Sequence, residues 1–380
     1  MAIKYLYLDD NKFETVNGQV NALNSNRAEL EVTHQQPVGD WERERDFFLN
    51  EFSKKFDGLI VDLRLDDEPN SQGRQSFYKG TSLAQELRTL STEKKFNEVP
   101  IILLSASANI LESLDNTGKD LFDIRIPKER LQGDEFKVIR ARMVALGNGY
   151  KFLSGLKQRT DEYDWSTAVF KVKQEVLDNR FFIKARTLFG EPTHSFVSFL
   201  IKSLLSCDGL LICHWTLAAR IGLDPKKSPD CDKLIAFFDS ALYRGVLNEG
   251  WRLWWADDAE KILSSWFPPD VSVRDVNAID RIEIIKTQTK LSGLTAAEPL
   301  EYSKSTSFWT HCFGTKRPLD PIDGLVITNQ DNVAPWEERK YISIFEALTR
   351  KHISAWRDVS ATELDRLQKI KARYTRERNK

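Results

Sequence analysis

Across its 380 residues this chain has no apolar run near the roughly 20 residues that a bilayer-crossing helix needs, so no membrane partner is expected. The N-terminus lacks a charged start followed by a long apolar core, which argues against a secretory signal. Cysteine is scarce. Four thiols exclude a disulfide framework and fit a reducing cytosol, so the expected location is cytoplasmic. Net charge is nearly absent: 55 basic and 56 acidic residues leave −1, too little to indicate nucleic acid or a membrane through bulk electrostatics. There is no internal repeat, low-complexity tract, glycine-rich phosphate loop, nucleophile elbow or HExxH segment, so no enzymatic output is expected. Cys207, Cys213-His214, Cys231 and His311-Cys312 offer zinc-ligand types. No Cys-x-x-Cys or His-x-x-x-His pair occurs among them, and the spacing reads as scattered core cysteines.

What is present is a folded-protein composition, 41% apolar and 29% charged, in a chain long enough for two or three domains. Charge is unevenly placed. Residues 1–140 carry 19 basic and 25 acidic side chains, or −6, whereas residues 366–380 carry seven Lys/Arg against one Glu, or +6. Up to about residue 145, short apolar runs alternate with amphipathic segments. Strands are predicted at 3–8, 29–34, 58–62, 99–104 and 122–126, and helices at 12–24, 41–54, 80–91, 107–116 and 128–146. Leu83, Leu87 and Leu90 share one face of the third helix. Five such β/α units predict an α/β domain, a flavodoxin-like doubly wound five-stranded parallel sheet.

Polar residues stand where the apolar runs stop: Asp9-Asp10 after the first, Asp62 after the third, Ser105 after the fourth and Lys128 after the fifth. A parallel sheet gathers such strand ends into one crevice. Carboxylates brought together there repel one another and call for a cation; Mg²⁺ prefers such hard oxygen ligands, here Asp9, Asp10 and Asp62. Asp62 would be the nucleophile toward a phosphoryl donor, forming an aspartyl phosphate. Lys128 would neutralise the transferring group and Ser105 would donate a hydrogen bond to it. A haloacid-dehalogenase-type phosphatase is rejected, because Asp9-Asp10-Asn11-Lys12 does not supply Asp-x-Asp. Two alternatives stay open: ordinary strand-end polar residues of an unrelated α/β domain, and a phosphate-independent scaffold.

On these residues, positions 1 to about 140 resemble the receiver domain of bacterial two-component response regulators. Asp9-Asp10, Asp62, Ser105-Ala106 and Lys128 match that family's pattern, and Gly80 matches the glycine that opens its third helix. The resemblance implies phosphorylation of Asp62 by a histidine kinase or phosphotransfer protein, with Mg²⁺ as cofactor and no enzymatic activity beyond the receiver's own phosphorylation and dephosphorylation. The sequence departs from the pattern in its long Leu65–Lys79 loop, in the order Pro127-Lys128, and in Ile124 and Ile126 where an aromatic switch residue is common. Receivers joined to unfamiliar regions also occur in bacterial defence systems.

The remainder divides, on sequence, into a helical domain over 150–267 and a mixed region over 268–380 ending in a basic helix. Gly147-Asn148-Gly149 marks the boundary with the receiver-like domain over 1–146. Leu217–Gly222 looks like the second helix and turn of a helix-turn-helix, followed by a helix over 230–243 and a wing-like hairpin over 243–250. A DNA-binding output through 210–255 would use Arg220, Lys226 and Lys227, but Asp230–Tyr243 carries a net −2, which favours a protein-contact output. Four tryptophans within 251–266 read as core. A strand is expected at Gly324–Thr328, a helix from Pro335, and a capping box at Ser360–Glu363 opening the last helix.

Overall fold

The computed structural model describes residues 1–105, 116–131, 135–159, 163–330, 332–353 and 355–378. These form two compact units: 1–202 with 244–251, and 203–243 with 252–380.

The first unit is built on a five-stranded, all-parallel sheet of order β2-β1-β3-β4-β5, with β1 Ile3–Leu8, β2 Leu30–Gln35, β3 Gly58–Asp62, β4 Ile101–Ser105 and β5 Ile124–Pro127. The continuous apolar runs form the inner strands. Every residue of β3 and β4 is buried, as strands covered on both faces require, whereas β2 is partly exposed at the edge. Alternation sorts β1 by face: Leu6 and Leu8 join the cluster of Phe48, Phe52, Leu83, Leu87 and Phe96. Each large apolar side chain so buried is worth roughly 1.5–3 kcal/mol.

The helices flank the sheet: α1 Phe13–Leu23, α2 Trp41–Phe47 running into a π-helical turn at Phe48–Phe52, α3 Gly80–Thr92 and α4 Glu135–Lys157. Leu83, Leu87 and Leu90 of α3 all face inward. The helix expected over 107–116 falls largely outside the described residues, as does Ala106.

The boundary expected at Gly147-Asn148-Gly149 is instead the interior of α4. These glycines serve close packing, not chain breaking. A Cβ on Gly147 would lie 2.3 Å from Ile3 Cγ2, and one on Gly149 would lie 2.5 Å from Leu247 Cδ2. The unit continues with α5 Trp165–Phe170, α6 Asn179–Phe189 and α7 Thr193–Leu200, where Trp165 stacks on Phe182 and Phe189. Residues 244–251 rejoin it, with Val246 N–H donating to Val169 O (2.8 Å) and Arg142 lying over Trp251. That segment therefore packs on α4 and forms no wing.

The second unit is mainly helical and carries three small antiparallel pairs: β6 Leu211–Ile212 with β7 Trp254–Trp255, β8 Thr310–His311 with β9 Pro318–Leu319, and β10 Gly324–Val326 with β11 Tyr341–Ser343. One apolar cluster runs from Ile212 to Leu294, across the boundary expected at 267. Its helix α8, His214–Ile221, ends at Gly222 in the left-handed region (φ +84). The next helix spans only Cys231–Ala236, not 230–243.

Trp251, Trp254 and Trp255 are buried core residues. No helix starts at Pro335. Ser343 caps a short one over Ile344–Thr349 instead, accepting from Glu346 N–H. Before the last helix, Leu364–Arg378, Ser360 forms no capping box; a 3-10 turn over Ala361–Glu363 intervenes. Arg366 anchors that helix through Gly324 O (2.8 Å) and Ile322 O (2.7 Å). Among the described residues no helix is long and apolar enough to cross a membrane.

Candidate functional site at the strand ends

The order β2-β1-β3 places the topological switch point between β1 and β3, and crevices of this kind lie beyond the carboxyl ends of the strands. Asp9 follows β1, Asp62 ends β3, Ser105 ends β4 and Lys128 follows β5. Pro127 keeps extended geometry (φ −64, ψ 133), so the chain turns only after it. The Lys128 ammonium then reaches Asp9 Oδ2 at 2.8 Å and Asp62 Oδ1 at 2.7 Å. The Pro-Lys order thus does not keep Lys128 from the pocket. Asp62 pairs in register with Leu104, which makes Ser105 the next residue outward on the neighbouring strand, buried at 1% exposure.

Each carboxylate has its own supports. Tyr7, two residues before Asp9 on the same face of β1, donates its hydroxyl to Asp9 Oδ2. Asn11 donates to Asp9 Oδ1 through its backbone N–H (2.9 Å) and its side chain (2.8 Å). Burial alone would raise the Asp9 carboxyl, but Lys128, Tyr7 and Asn11 outweigh it and hold Asp9 below the ordinary value. Asp62 accepts from Arg64 N–H (2.8 Å). Burial pushes Asp62 up to about 6; Lys128 opposes the rise and the charge of Asp9 adds to it. Lys128 itself is raised despite its burial, because Asp62 and Asp9 both favour its charged form. One ammonium cannot fully serve two carboxylates, and Asp62 is the one left short.

Asp10 points elsewhere. Its Oδ2 accepts from the N–H groups of Asp67 and Glu68, both at 2.8 Å. Burial raises its carboxyl, and those two N–H groups limit the rise. The long loop that supplies them is tied down: Asn70 donates to Pro37 O and Val38 O, and Gln36 bridges to Ser71 N–H and Asp10 O. Tyr7, Asn11, Gln36 and the 67–68 amides went unnoticed in the sequence. Only Tyr7 had a signal there, its i, i+2 relation to Asp9 on a strand. Gly80 admits no substitute: a Cβ would lie 2.2 Å from Asp62 O.

Fit to a divalent cation can be judged from the donors. Three carboxylates against one ammonium leave the pocket with excess negative charge, and all three offer hard oxygens, as Mg²⁺ prefers. Asp9 and Asp62 converge on one point, where Lys128 stands. Asp10 does not join them closely: the three together do not bring one oxygen each within 4.8 Å of the others. The donor set therefore fits, with Asp9 and Asp62 as its core and Asp10 committed to the loop.

The proposed DNA contacts fare differently. Arg220 is buried, pairing with Glu338 (2.5 Å) and Glu260 (3.9 Å), and Lys227 pairs with Glu298 (3.0 Å). Carboxylates thus take two of the three cations that a phosphate backbone would need.

No protein-family model and no curated protein matches this chain. Solved structures similar to its N-terminal part include a response regulator receiver domain (CheY-like) from Methylobacillus flagellatus, at 18% identity, covering 34% of this chain and 87% of that one with a TM-score of 0.24. Others are the phosphorylated cyanobacterial phytochrome response regulator RcpA (17% identity, 42% and 98% covered, TM-score 0.25) and the chemotaxis response regulator CheY4 of Vibrio cholerae (17%, 37% and 98%, TM-score 0.25). The chemistry rests on the pocket.

Proposed function

We propose that this chain is a response-regulator-like signalling protein of the cytosol. Its N-terminal unit would accept a phosphoryl group on Asp62 from a histidine kinase or phosphotransfer protein and so regulate a protein-interaction output carried by the C-terminal residues. The observation that carries this reading is the single Lys128 ammonium shared by Asp62 (2.7 Å) and Asp9 (2.8 Å) at the switch point of the sheet. With its carboxyl at about 6, Asp62 is mostly ionised at neutral pH and able to attack phosphorus. As an Asp62 oxygen bonds to phosphorus, giving an acyl phosphate, and the donor's P–N bond breaks to release its imidazole, Lys128 would be freed to turn to the phosphoryl oxygens, with the Ser105 hydroxyl donating to another. Mg²⁺, held by Asp9 and Asp62 with Asp10 alongside, would neutralise charge on the transferring group. The new group brings about −1.5 to −2 charges, enough to rearrange nearby hydrogen bonds. The chemistry is confined to putting phosphate on Asp62 and taking it off.

The test is intact mass after incubation of the full chain with Mg²⁺ and either acetyl phosphate or a phosphohistidine donor. One phosphoryl adduct is expected on wild type and none on Asp62→Asn, and Lys128→Met should slow uptake at least tenfold. No adduct with either donor, or equal labelling of Asp62→Asn, would overturn the reading.

A further inference from the structure

In the second unit, three side chains from separate segments converge on one point. Asp208 lies in the loop before β6, Cys213 is the residue before α8, and His311 sits in β8. Cys213 Sγ is 3.9 Å from His311 Nδ1 and 3.9 Å from Asp208 Oδ2, and those last two atoms are 3.6 Å apart. Among the described residues this is the group of His, Cys, Asp and Glu donors whose ligand atoms all lie within 4.8 Å of one another. His311 is buried, while Asp208 and Cys213 are half-buried, so the site borders solvent. The Thr216 hydroxyl donates to Asp208 Oδ2 and lies 2.9 Å from His311 Nδ1 and 3.7 Å from Cys213 Sγ.

We propose that Asp208, Cys213 and His311 bind one Zn²⁺ ion. A tetrahedral zinc with bonds of about 2.0–2.3 Å spaces its ligand atoms about 3.4–3.6 Å apart, so the observed triangle needs to tighten by only a few tenths of an ångström. One sulfur, one nitrogen and one oxygen suit this borderline-soft ion and are poor ligands for Mg²⁺ or Ca²⁺. Binding releases the thiol proton to solvent. The thiolate and carboxylate then balance the ion to zero net charge, the condition that burial favours. Three protein ligands leave a fourth position for an exchangeable ligand. A nucleophilic cysteine relay fits less well. Thiol and carboxylate both face Nδ1, whereas a relay sets the imidazole between its partners, with one on each ring nitrogen.

The experiment uses tag-free full-length protein, stripped by chelator and titrated with Zn²⁺ and with Co²⁺ as a spectroscopic probe, in excess Mg²⁺ to occupy the carboxylate pocket of the sheet. One Zn²⁺ per chain is expected, with a thiolate-to-cobalt charge-transfer band and d–d bands of tetrahedral intensity. Cys213→Ser should lose the charge-transfer band. His311→Ala and Asp208→Asn should each weaken binding at least tenfold, and Cys231→Ser should behave as wild type. Circular dichroism of each metal-free variant shows whether it is folded; if one is not, the remaining two carry the test. Absence of stoichiometric uptake, a cobalt spectrum without the thiolate band, or unchanged affinity in the folded variants would overturn the proposal and leave a hydrogen-bonded knot around Thr216.

Discussion

At the amino ends of β4 and β5, Arg88 meets Asp123 with one charge against one (2.9 Å), whereas at the carboxyl ends of β1, β3 and β5 a lone Lys128 faces Asp9 and Asp62 with Asp10 beside them. The carboxylates of both groups are buried, whereas Arg88 is buried and Lys128 only half-buried, and the two groups are built differently. Asp123 Oδ2 also accepts from Ile101 N–H (2.8 Å) and Oδ1 from the Tyr150 hydroxyl (2.6 Å), while Arg88 also donates to Val99 O and Leu121 O. That network is balanced and closed. The other keeps surplus negative charge, and there burial lifts the Asp62 carboxyl to about 6, with Lys128 opposing the rise and the charge of Asp9 adding to it. A closed ion pair holds strands and helix together; an unbalanced one is ready for another charged group.

The contrast breaks most visibly at Asp123→Ala. Removing one partner strands the Arg88 charge in the interior, and a loss of about 3–5 kcal/mol is expected, read as a lower denaturation midpoint of the N-terminal unit. Stability close to wild type would make the two ends alike.

A smaller effect, with the opposite sign, should come from Asp62. Its folded-state value of about 6 exceeds the ordinary 3.8, so its contribution to stability is whole below about pH 3.8 and is lost as pH rises through about 6. A gap of this size amounts to on the order of 2–3 kcal/mol. Denaturation of wild type and Asp62→Asn across that window should show the wild type losing ground, with the difference level at higher pH. A flat difference throughout would mean Lys128 satisfies Asp62 as fully as Arg88 satisfies Asp123. Smallest is Tyr7→Phe, which removes one hydrogen bond to Asp9 and should cost about 1 kcal/mol by chemical denaturation; no change would mean that Lys128 and Asn11 suffice.

Much of the first unit was legible in the chain. Buried parallel strands read as continuous apolar runs, so β1, β3 and β4 were visible within two residues at either end. Their polar endings were visible for the same reason. The glycines of α4 misled, because a glycine that admits Ile3 looks in sequence like one that ends a helix. The wing failed in a similar way: residues 243–250 have turn composition, but Val246 and Leu247 pack at Gly149 of α4, within the first unit. Arg220, a candidate contact of the less favoured DNA-binding output, is instead paired with Glu338 and Glu260.

The sequence by itself determined where the strands stop and which side chains stand there, since each rests on a pattern a few residues long. Only the tertiary structure decided how those groups share charge. Asp10 is drawn to amides 57 and 58 positions away, Lys128 closes on an Asp9 119 positions away, and Cys213 meets His311 across 98. Separations of that length leave no local periodicity to read, because packing of whole elements sets them.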